Sequence, residues 1–208
     1  MSIWVKICGM TSSLAVHTAV DAGVDAVGFV FAPSKRQVSP QQAADYVARV
    51  PATIERIAVM LHPSQALVDE ILSVFKPDVL QTDWEDIAGL KLPASLLVLP
   101  VLRASKKLPQ ALPKRFLFEG PVSGTGETAD WTQAAQLATQ SELILAGGLN
   151  PDNVGDAINQ VNPFGIDVSS GVESSPGVKD MNKIVEFINA ARATSSPRPL
   201  RERGGGEG

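Results

Sequence analysis

Residues 143–171 read LILAGGLNPDNVGDAINQVNPFGIDVSSG, and this stretch decides between the two folds that the rest of the sequence allows. Two short apolar runs, 143–146 and 165–168, flank a segment in which Asn150-Pro151 signals the start of a helix. Apolar strands joined through a helix are typical of a parallel sheet that is covered on both faces. Each run is followed at once by glycines or by serines and a glycine, and this repeated pattern decides the fold prediction.

The same alternation of apolar runs and helical segments extends along the chain from its start. Eight runs are predicted as strands: Ile3–Cys8, Ala26–Val30, Ile54–Met60, Val79–Gln81, Leu96–Leu102, Phe116–Glu119, Leu143–Ala146 and Gly165–Val168. Helices that follow capping residues are predicted at residues 14–20, 41–50, 65–75, 131–138, 152–160 and 181–193. The segments 83–92 and 104–112 have only weak helical periodicity. There, the prediction of a barrel rests on the number of strands and not on a predicted helix.

The positions of the glycines separate a barrel from an open sheet. A doubly wound open sheet usually carries its glycine-rich phosphate loop after the first strand and needs no eighth strand. Here the glycines cluster after the predicted sixth, seventh and eighth strands, and barrels commonly bind phosphate with the loops after strands seven and eight. We therefore predict an α/β protein with a single-domain (β/α)8 TIM barrel over residues 1–194. The Pro- and Gly-rich tail, residues 195–208, is expected to be disordered.

Composition excludes several classes of function. The 208 residues carry a net charge of −4, which is not typical of a surface that binds nucleic acid or an anionic membrane. No apolar run approaches the roughly 18 residues that span a bilayer, and the N-terminus lacks the features of a signal peptide. The single cysteine excludes an internal disulfide, and the acidic residues show no metal-ligand spacing. We expect a cytoplasmic protein without a metal site.

Two strand ends carry candidates for acid–base chemistry, because reactive side chains of a parallel barrel lie at the carboxyl ends of its strands. Cys8 ends the first strand just before a helix and near Lys6, and both features are expected to favour its thiolate. The alternative is a buried cysteine that acts as a small hydrophobic residue. Glu119 ends the sixth run, where desolvation would raise its pKa towards that of a useful acid. The alternative there is an ordinary exposed glutamate.

Other polar residues are expected around the same mouth of the barrel. Arg36, in the loop after the second strand, could hold a carboxylate through a bidentate fork or could be a solvated basic side chain. Gln81 and Asp83 share a strand parity at the end of the fourth strand, so both are expected to face the interior. His62 follows the third strand at the rim where a proton-transfer group would lie.

The loops after the seventh and eighth strands predict a phosphate site. Gly147 and Gly148 follow one strand, and Ser170 and Gly171 follow the next. Glycines let the backbone approach a ligand closely and direct N–H groups at an anion. Two such loops at consecutive strand ends therefore indicate that the ligand is phosphorylated.

Taken together, these stretches resemble the phosphoribosylanthranilate isomerases of tryptophan biosynthesis, from residue 3 to about residue 190. The segments that carry the resemblance are Lys6–Thr11, Gly28–Phe31, Ser34–Pro40, Leu80-Gln81, Ser123–Trp131, Leu145–Val154, Gly165–Glu173 and Pro176–Asp180. The family has the (β/α)8 fold and uses neither a cofactor nor a metal. It converts N-(5-phosphoribosyl)anthranilate into 1-(2-carboxyphenylamino)-1-deoxyribulose 5-phosphate by an Amadori rearrangement, and the resemblance implies this reaction here.

The resemblance also implies roles for individual residues. Cys8 would be the general base that removes the ribose C2 proton, while a general acid protonates the ring oxygen and opens the ring to a Schiff base. Arg36 would hold the anthranilate carboxylate. The backbone at Gly147-Gly148 and at Ser170-Gly171 would bind the phosphate, and Asp167 would orient substrate groups.

Two positions depart from the family's pattern. The family usually has Asp as the acid at the end of the sixth strand, where this chain has Glu119, which is one methylene longer. The family also often has His-Gly after the fourth-strand Gln81, where this chain has Thr82-Asp83-Trp84. Asp83 is therefore a second candidate for the acid, although the glycine-rich loop that follows the sixth strand favours Glu119. Gln81 and Asp83 are also candidate substrate-binding residues.

Two alternative functions remain at this stage. The related sugar isomerase of histidine biosynthesis shares the fold, but it uses Asp where Cys8 stands and carries repeated phosphate motifs that this sequence lacks. The second alternative is a barrel that binds a phosphorylated ligand without catalysis. The sequence leaves open the oligomeric state, monomer or homodimer, and any activity on the histidine-pathway analogue.

Overall fold

The computed structural model describes residues 2–120 and 130–194, and at its centre is a closed barrel of eight parallel strands. The strands are β1 Trp4–Cys8, β2 Ala26–Val30, β3 Glu55–Val59, β4 Val79–Asp83, β5 Leu97–Arg103, β6 Arg115–Glu119, β7 Glu142–Leu145 and β8 Gly165–Val168. The last strand pairs with the first, with Trp4 opposite Gly165 and Lys6 opposite Asp167. The predicted barrel is therefore confirmed, and the open doubly wound sheet is excluded.

Helices lie between most of the strands. Their bounds are α1 Ser13–Asp21, α2 Pro40–Tyr46, α3 Gln65–Val74, α4 Trp84–Ile87, α5 Trp131–Ala138, α6 Val154–Val161 and α7 Met181–Thr194. The fourth helix has only four residues, and residues 104–114 between β5 and β6 contain no helix. The sequence shows weak helical periodicity in these same two segments, because one contains only a single-turn helix and the other contains none.

Capping side chains explain where the helices begin. Four helices are capped by predicted residues that accept hydrogen bonds from backbone N–H groups of the first turn: Ser12, Ser39, Ser64 and Asp130. The sixth helix starts later than predicted, at Val154. Its expected cap, Asn150, accepts hydrogen bonds from the N–H groups of Asp152 and Asn153 and so forms a turn before the helix.

The inside of the barrel changes from apolar to polar along the strands. Its apolar part consists of Ala26, Ile57, Val79, Leu99, Val101, Leu117, Ile144 and Ala146. A second, larger apolar core lies between the strands and the helices. Buried polar and charged side chains collect towards the carboxyl ends of the strands: Lys6, Gln81, Asp83, Arg103 and Asp167. Burying charged groups is unfavourable unless they are paired, so a concentration of buried charged side chains indicates a functional site at this end of the barrel.

A short hairpin after β8 was not predicted from the sequence, because strands of two or three residues have too little pattern to detect. It consists of a 3-10 turn at Ser170–Val172, then β9 Glu173–Ser175 and β10 Val178–Lys179. Gly177 at its turn has φ +88°, and a Cβ atom there would lie 2.4 Å from the carbonyl oxygen of Lys35. Thr11 Oγ1 donates a hydrogen bond to the Gly177 carbonyl at 2.8 Å. The hairpin is thus packed against the loops after β1 and β2.

Two sequence predictions lie outside the described residues, namely the disordered tail at 195–208 and most of the glycine-rich loop, residues 121–129. Among the helices of the described ranges, none combines the length and apolar character needed to cross a membrane.

Candidate active site

The carboxyl ends of the strands bring most of the predicted site residues to one mouth of the barrel. Cys8 is the last residue of β1, Asp83 of β4 and Glu119 of β6. Gln81 lies two residues before the end of β4 and Asp167 one residue before the end of β8. Gln81 and Asp83 are both buried, as the shared parity predicted. The site is therefore assembled from strands that are far apart in the sequence.

Cys8 lies beside a buried ion pair. Nζ of Lys6 is 2.9 Å from Oδ1 of Asp167, and the Lys6 side chain has no exposed surface. Gly28 is opposite Cys8 on β2, and a Cβ atom there would lie 3.2 Å from both Cys8 Sγ and Lys6 Nζ. A larger residue at this position would crowd both groups. Glycine therefore lets the lysine and the thiol occupy the same small space.

The surroundings of Cys8 favour its neutral thiol. Burial has the largest effect on the pKa of Cys8 and raises it, the Lys6 ammonium lowers it, and the net pKa is above the ordinary value. The expectation that the surroundings of Cys8 favour the thiolate is therefore wrong, because burial, which is not visible in the sequence, outweighs the effect of Lys6. Burial lowers the pKa of Lys6, but Asp167 and Cys8 raise it by more. Lys6 thus stays charged and can stabilise a thiolate once it forms.

Arg36 is held by a carboxylate of the hairpin. Its Nε lies 2.6 Å from Oε1 of Glu173 and its Nη2 lies 3.0 Å from Oε2. Glu173 also accepts a hydrogen bond from Nζ of the buried Lys179 at 3.0 Å. A Cβ atom on Gly9 would lie 2.6 Å from Cδ of Arg36, so the arginine stem passes directly over the loop that follows Cys8. The bidentate fork predicted for a ligand carboxylate is thus made with Glu173, and it uses two of the five N–H donors of the guanidinium.

The predicted phosphate loops lie against each other. Gly147 and Gly148 have φ values of +92° and +66°, in the left-handed region that favours glycine. A Cβ atom on Gly171 would lie 1.9 Å from the carbonyl oxygen of Leu149, so only glycine allows this approach of the two loops. Within the described ranges, no backbone acceptor is bound by the N–H groups of Gly147 and Gly148. These donors are therefore available to an anion.

Gln81 and His62 differ in their relation to the site. Gln81 is buried, and its Oε1 has no hydrogen-bond partner in the part of the chain that the structure describes. His62 is 66% exposed, and its Nδ1 lies 2.7 Å from Oδ1 of Asp86 on α4. Gln81 therefore lies with the buried polar residues of the barrel, whereas His62 is joined to a largely buried carboxylate of α4.

A row of charged side chains joins the ends of three neighbouring strands. Arg103, the last residue of β5, binds Asp83 through Nη2 at 2.6 Å and through Nε at 3.2 Å. Its Nη1 donates to Oε1 of Glu119, and Nζ of Lys106 lies 3.2 Å from Oδ2 of Asp83. Burial raises the pKa of the Asp83 carboxyl, but Arg103 and Lys106 lower it by more, so the net pKa is below the usual range.

The sequence did not single out Arg103, Glu173 or Lys179. Arg103 has the same strand parity as the interior residues Leu99 and Val101, which would have indicated that it faces the barrel interior. It was missed because the predicted strand ended one residue too early, at Leu102. Glu173 and Lys179 lie on the unpredicted hairpin. Arg103 and Glu173 are partners of predicted residues, and Lys179 binds Glu173, so only the three-dimensional structure identifies them.

Two cavities lie beside Arg36 and its loop. One, of about 580 Å³, is lined mainly by Lys35, Arg36, Ser170 and Glu173. The other, of about 470 Å³, lies on the far side of the same loop, between Phe31 and Leu67. The first cavity places polar groups of the β2 and β8 loops around one space, which suits a ligand with a charged end.

The comparison with protein families agrees with the resemblance seen in the sequence. The family model for N-(5'-phosphoribosyl)anthranilate (PRA) isomerase matches residues 5–190. A curated relative, N-(5'-phosphoribosyl)anthranilate isomerase from Streptococcus pneumoniae (strain Taiwan19F-14), is 38% identical over 190 residues. The match covers 90% of this chain and 95% of that protein. The similarity therefore extends over nearly the whole of both chains.

Solved structures agree with this result. The crystal structure of TrpF from Jonesia denitrificans has a TM-score of 0.79 and 37% identity, and the match covers 95% of this chain and 100% of that chain. A second crystal structure is of a phosphoribosyl anthranilate isomerase in complex with reduced 1-(o-carboxyphenylamino)-1-deoxyribulose 5-phosphate. It has a TM-score of 0.73 and 31% identity, with 92% of this chain and 99% of that chain covered.

Proposed function

The chain belongs to the N-(5'-phosphoribosyl)anthranilate isomerase family, and we propose that Cys8 is the general base and Glu119 the general acid of its reaction. The enzyme converts N-(5-phosphoribosyl)anthranilate into 1-(2-carboxyphenylamino)-1-deoxyribulose 5-phosphate, a step of tryptophan biosynthesis. The observation that carries the assignment of roles is the placement of both groups at strand ends of one barrel mouth. An acid and a base on separate strands can act on the two sides of one bound sugar.

The proposed reaction begins with proton transfer from Glu119. The proton goes to the ring oxygen, the bond between C1 and the ring oxygen breaks, and the nitrogen lone pair forms a protonated Schiff base with C1. Cys8 then removes the C2 proton, and the electrons of the C–H bond form an enolamine. The enolamine gains a proton at C1 and loses one from the C2 hydroxyl, which gives the ketone. Atoms and electrons balance without an external oxidant or reductant.

Lys6 and Asp167 support the base in this proposal. The thiolate that accepts the C2 proton needs a nearby cation, and Lys6 is the charged group that shares its space. Asp167 holds the lysine in place through the buried ion pair, and it also competes with the thiolate for the ammonium. We therefore assign Asp167 to the orientation of Lys6, besides the contacts with substrate groups that the resemblance implies.

The choice of Glu119 over Asp83 rests on how the two carboxylates are bound. Asp83 accepts two hydrogen bonds from Arg103 and one from Lys106. Burial raises the pKa of Asp83, but the two cations lower it by more, so the net pKa is below the usual range. Two cations therefore favour the ionised form of Asp83, which is the form that cannot donate a proton. Glu119 also accepts a hydrogen bond from Nη1 of Arg103, and it directly precedes the glycine-rich loop that follows the sixth strand. We therefore propose that Asp83 holds Arg103 in place and does not itself donate the proton.

The two ends of the substrate are assigned to the remaining residues. Arg36 binds the anthranilate carboxylate with the N–H donors that Glu173 does not use. The N–H groups of Gly147 and Gly148, with Ser170 and Gly171, bind the phosphate. Gln81 contributes its unpartnered Oε1 to substrate hydroxyl groups.

We also propose that residues 1–194 form one catalytic domain that acts in the cytoplasm. The closure of the barrel between β1 and β8 supports the single domain, because the eight strands between residues 4 and 168 then form one closed sheet. The tail at 195–208 is not assigned to catalysis.

The test of this function is a fluorescence assay that follows the loss of freshly prepared phosphoribosylanthranilate. Rapid turnover that is unaffected by a chelator and absent in Cys8→Ala is the expected result. A barrel that only binds its ligand would give no turnover in the wild type, while a reduced product analogue would still bind. Asp78→Asn, which removes a carboxylate just before the amino end of β4, serves as the matched control and should keep its turnover.

A further inference from the structure

Arg103 joins the two carboxylates at which this chain departs from its family's pattern. The family usually has Asp where this chain has Glu119, and it often has His in the stretch where this chain has Asp83. Arg103 donates to both side chains, and its own side chain is 10% exposed. The two departures are therefore parts of one interacting group, which neither position reveals by itself.

Arg103 contacts the two carboxylates through different parts of its guanidinium. Asp83 accepts from both Nε and Nη2, which fixes the plane of the guanidinium, while Nη1 extends to Glu119. The strand register produces this arrangement, because Asp83 is opposite Val101 on β5 and Arg103 is opposite Glu119 on β6. Asp83 thus anchors the arginine, and the arginine in turn contacts the glutamate from a fixed position.

We propose that Arg103 is a positioning residue for the reaction, which holds the longer Glu119 side chain at the place that the acid occupies. A glutamate has one more rotatable bond than an aspartate, so its carboxyl group needs an additional contact to keep one orientation. The bidentate pair with Asp83 supplies a rigid support for that contact. This inference rests on the proposed role of Glu119 as the acid.

Arg103 also affects the proton of Glu119. Burial lowers the pKa of the Arg103 guanidinium, but Asp83 and Glu119 raise it by more. After the proton has moved to the ring oxygen, the hydrogen bond from Nη1 of Arg103 stabilises the carboxylate that remains.

The experiment compares Arg103→Met and Arg103→Lys with wild type in steady-state kinetics and in a ¹³C NMR titration of the glutamate carboxyl groups. Glu119→Gln identifies the Glu119 signal by removing it. We expect Arg103→Met to lower kcat by about 10²-fold with little change in KM, and to move the Glu119 midpoint to higher pH. Arg103→Lys should recover part of kcat, because it restores the charge without the fork.

Arg115→Met is the matched control, since it removes an arginine that pairs with Glu142 at the opposite end of the barrel. It should leave both kcat and the Glu119 midpoint unchanged. An unchanged Glu119 midpoint in Arg103→Met, or a rise in KM at constant kcat, would overturn the proposal. If the NMR midpoint moves but Glu119→Gln keeps its activity, the assignment of the acid fails and the contact between Arg103 and Glu119 stands. Circular dichroism and thermal melting of each variant separate these outcomes from a loss of folding.

Discussion

The barrel mouth has two sides that differ in how their charges are buried. On the base side, which we define as Lys6, Cys8, Asp167 and Lys179, the two lysine side chains have 0% exposure. On the acid side, which we define as Asp83, Arg103, Lys106 and Glu119, the two cations are 10% and 40% exposed. The base side agrees with the family's pattern at Cys8 and Asp167. The acid side contains both departures.

This difference has a physical explanation. Removing one partner of a buried ion pair leaves an uncompensated charge and costs about 3–5 kcal/mol, so changes within the base side are strongly unfavourable. On the acid side, water can still reach Lys106, the two carboxylates share Arg103, and Asp83 also pairs with Lys106. A partner there can be exchanged at lower cost. The chain therefore departs from its family where the charged side chains are linked through a shared arginine.

The largest expected effect is on the base side. Cys8→Ser should lower kcat by about 10³-fold, because a serine hydroxyl is far less acidic than a thiol and forms no useful base at neutral pH. The fluorescence assay measures this loss, and binding of a reduced product analogue shows that the site is still formed. Turnover close to that of wild type would remove Cys8 from the role of base.

The next effect distinguishes the two carboxylates of the acid side. Glu119→Gln should lower kcat by about 10²–10³-fold, because the amide cannot donate the proton. Asp83→Asn should cost about tenfold or less, since it weakens the support of Arg103 but leaves the acid in place. The same assay at saturating substrate measures both variants. The reverse ranking would move the acid to Asp83.

A smaller effect is expected at Arg36, which lies between the base side and the cavity beside its loop. Arg36→Met should raise KM by about 10–100-fold, which corresponds to the loss of about 1.5–3 kcal/mol from a charged hydrogen bond. Lys35→Met removes the neighbouring exposed cation and is the matched control. Equal effects of the two variants on KM would indicate a general attraction of the anionic substrate and not a specific carboxylate site.

The smallest effect concerns the protonation of Cys8. Because burial and Asp167 raise the pKa of the thiol by more than Lys6 and Lys179 lower it, alkylation by iodoacetamide should increase with pH through a midpoint above that of free cysteine, about 8.5. Asp167→Asn should move the midpoint to lower pH, since it removes a negative charge and frees Lys6 for the thiolate. Asp78→Asn, at the opposite end of the barrel, should not change it. A midpoint below 8.5 in the wild type would show that the site favours the thiolate before substrate binds.

Much of the fold and part of the site could be predicted from the sequence. The apolar runs found all eight strands because strands buried on both faces have a strong local signal, and β2 and β8 matched at both ends. Cys8 and Glu119 were placed correctly at strand ends, because position along a strand is a local property. The partner of Arg36 was missed, since Glu173 is 137 residues away and lies on a hairpin with little pattern.

The protonation of Cys8 could not be predicted for a related reason. The motif around it shows a lysine and a helix start, and both favour the thiolate. Burial and the negative charge of Asp167 oppose them, and both are present only when β8 closes the barrel against β1. Local sequence therefore identified the groups of the site but not the balance of their charges.

The hairpin and β8 have a further consequence for the synthesis of the protein. Lys6 and Arg36 emerge from the ribosome 161 and 137 residues before their partners Asp167 and Glu173. At 5–20 residues per second, this interval is roughly 7–30 s. During that time the first strands cannot bury the Lys6 charge in its final place, since the compensating carboxylate has not been made. Barrel closure is thus a late event of the complete chain, and a polypeptide interrupted before Asp167 contains Cys8 without the buried ion pair that lies beside it in the folded protein.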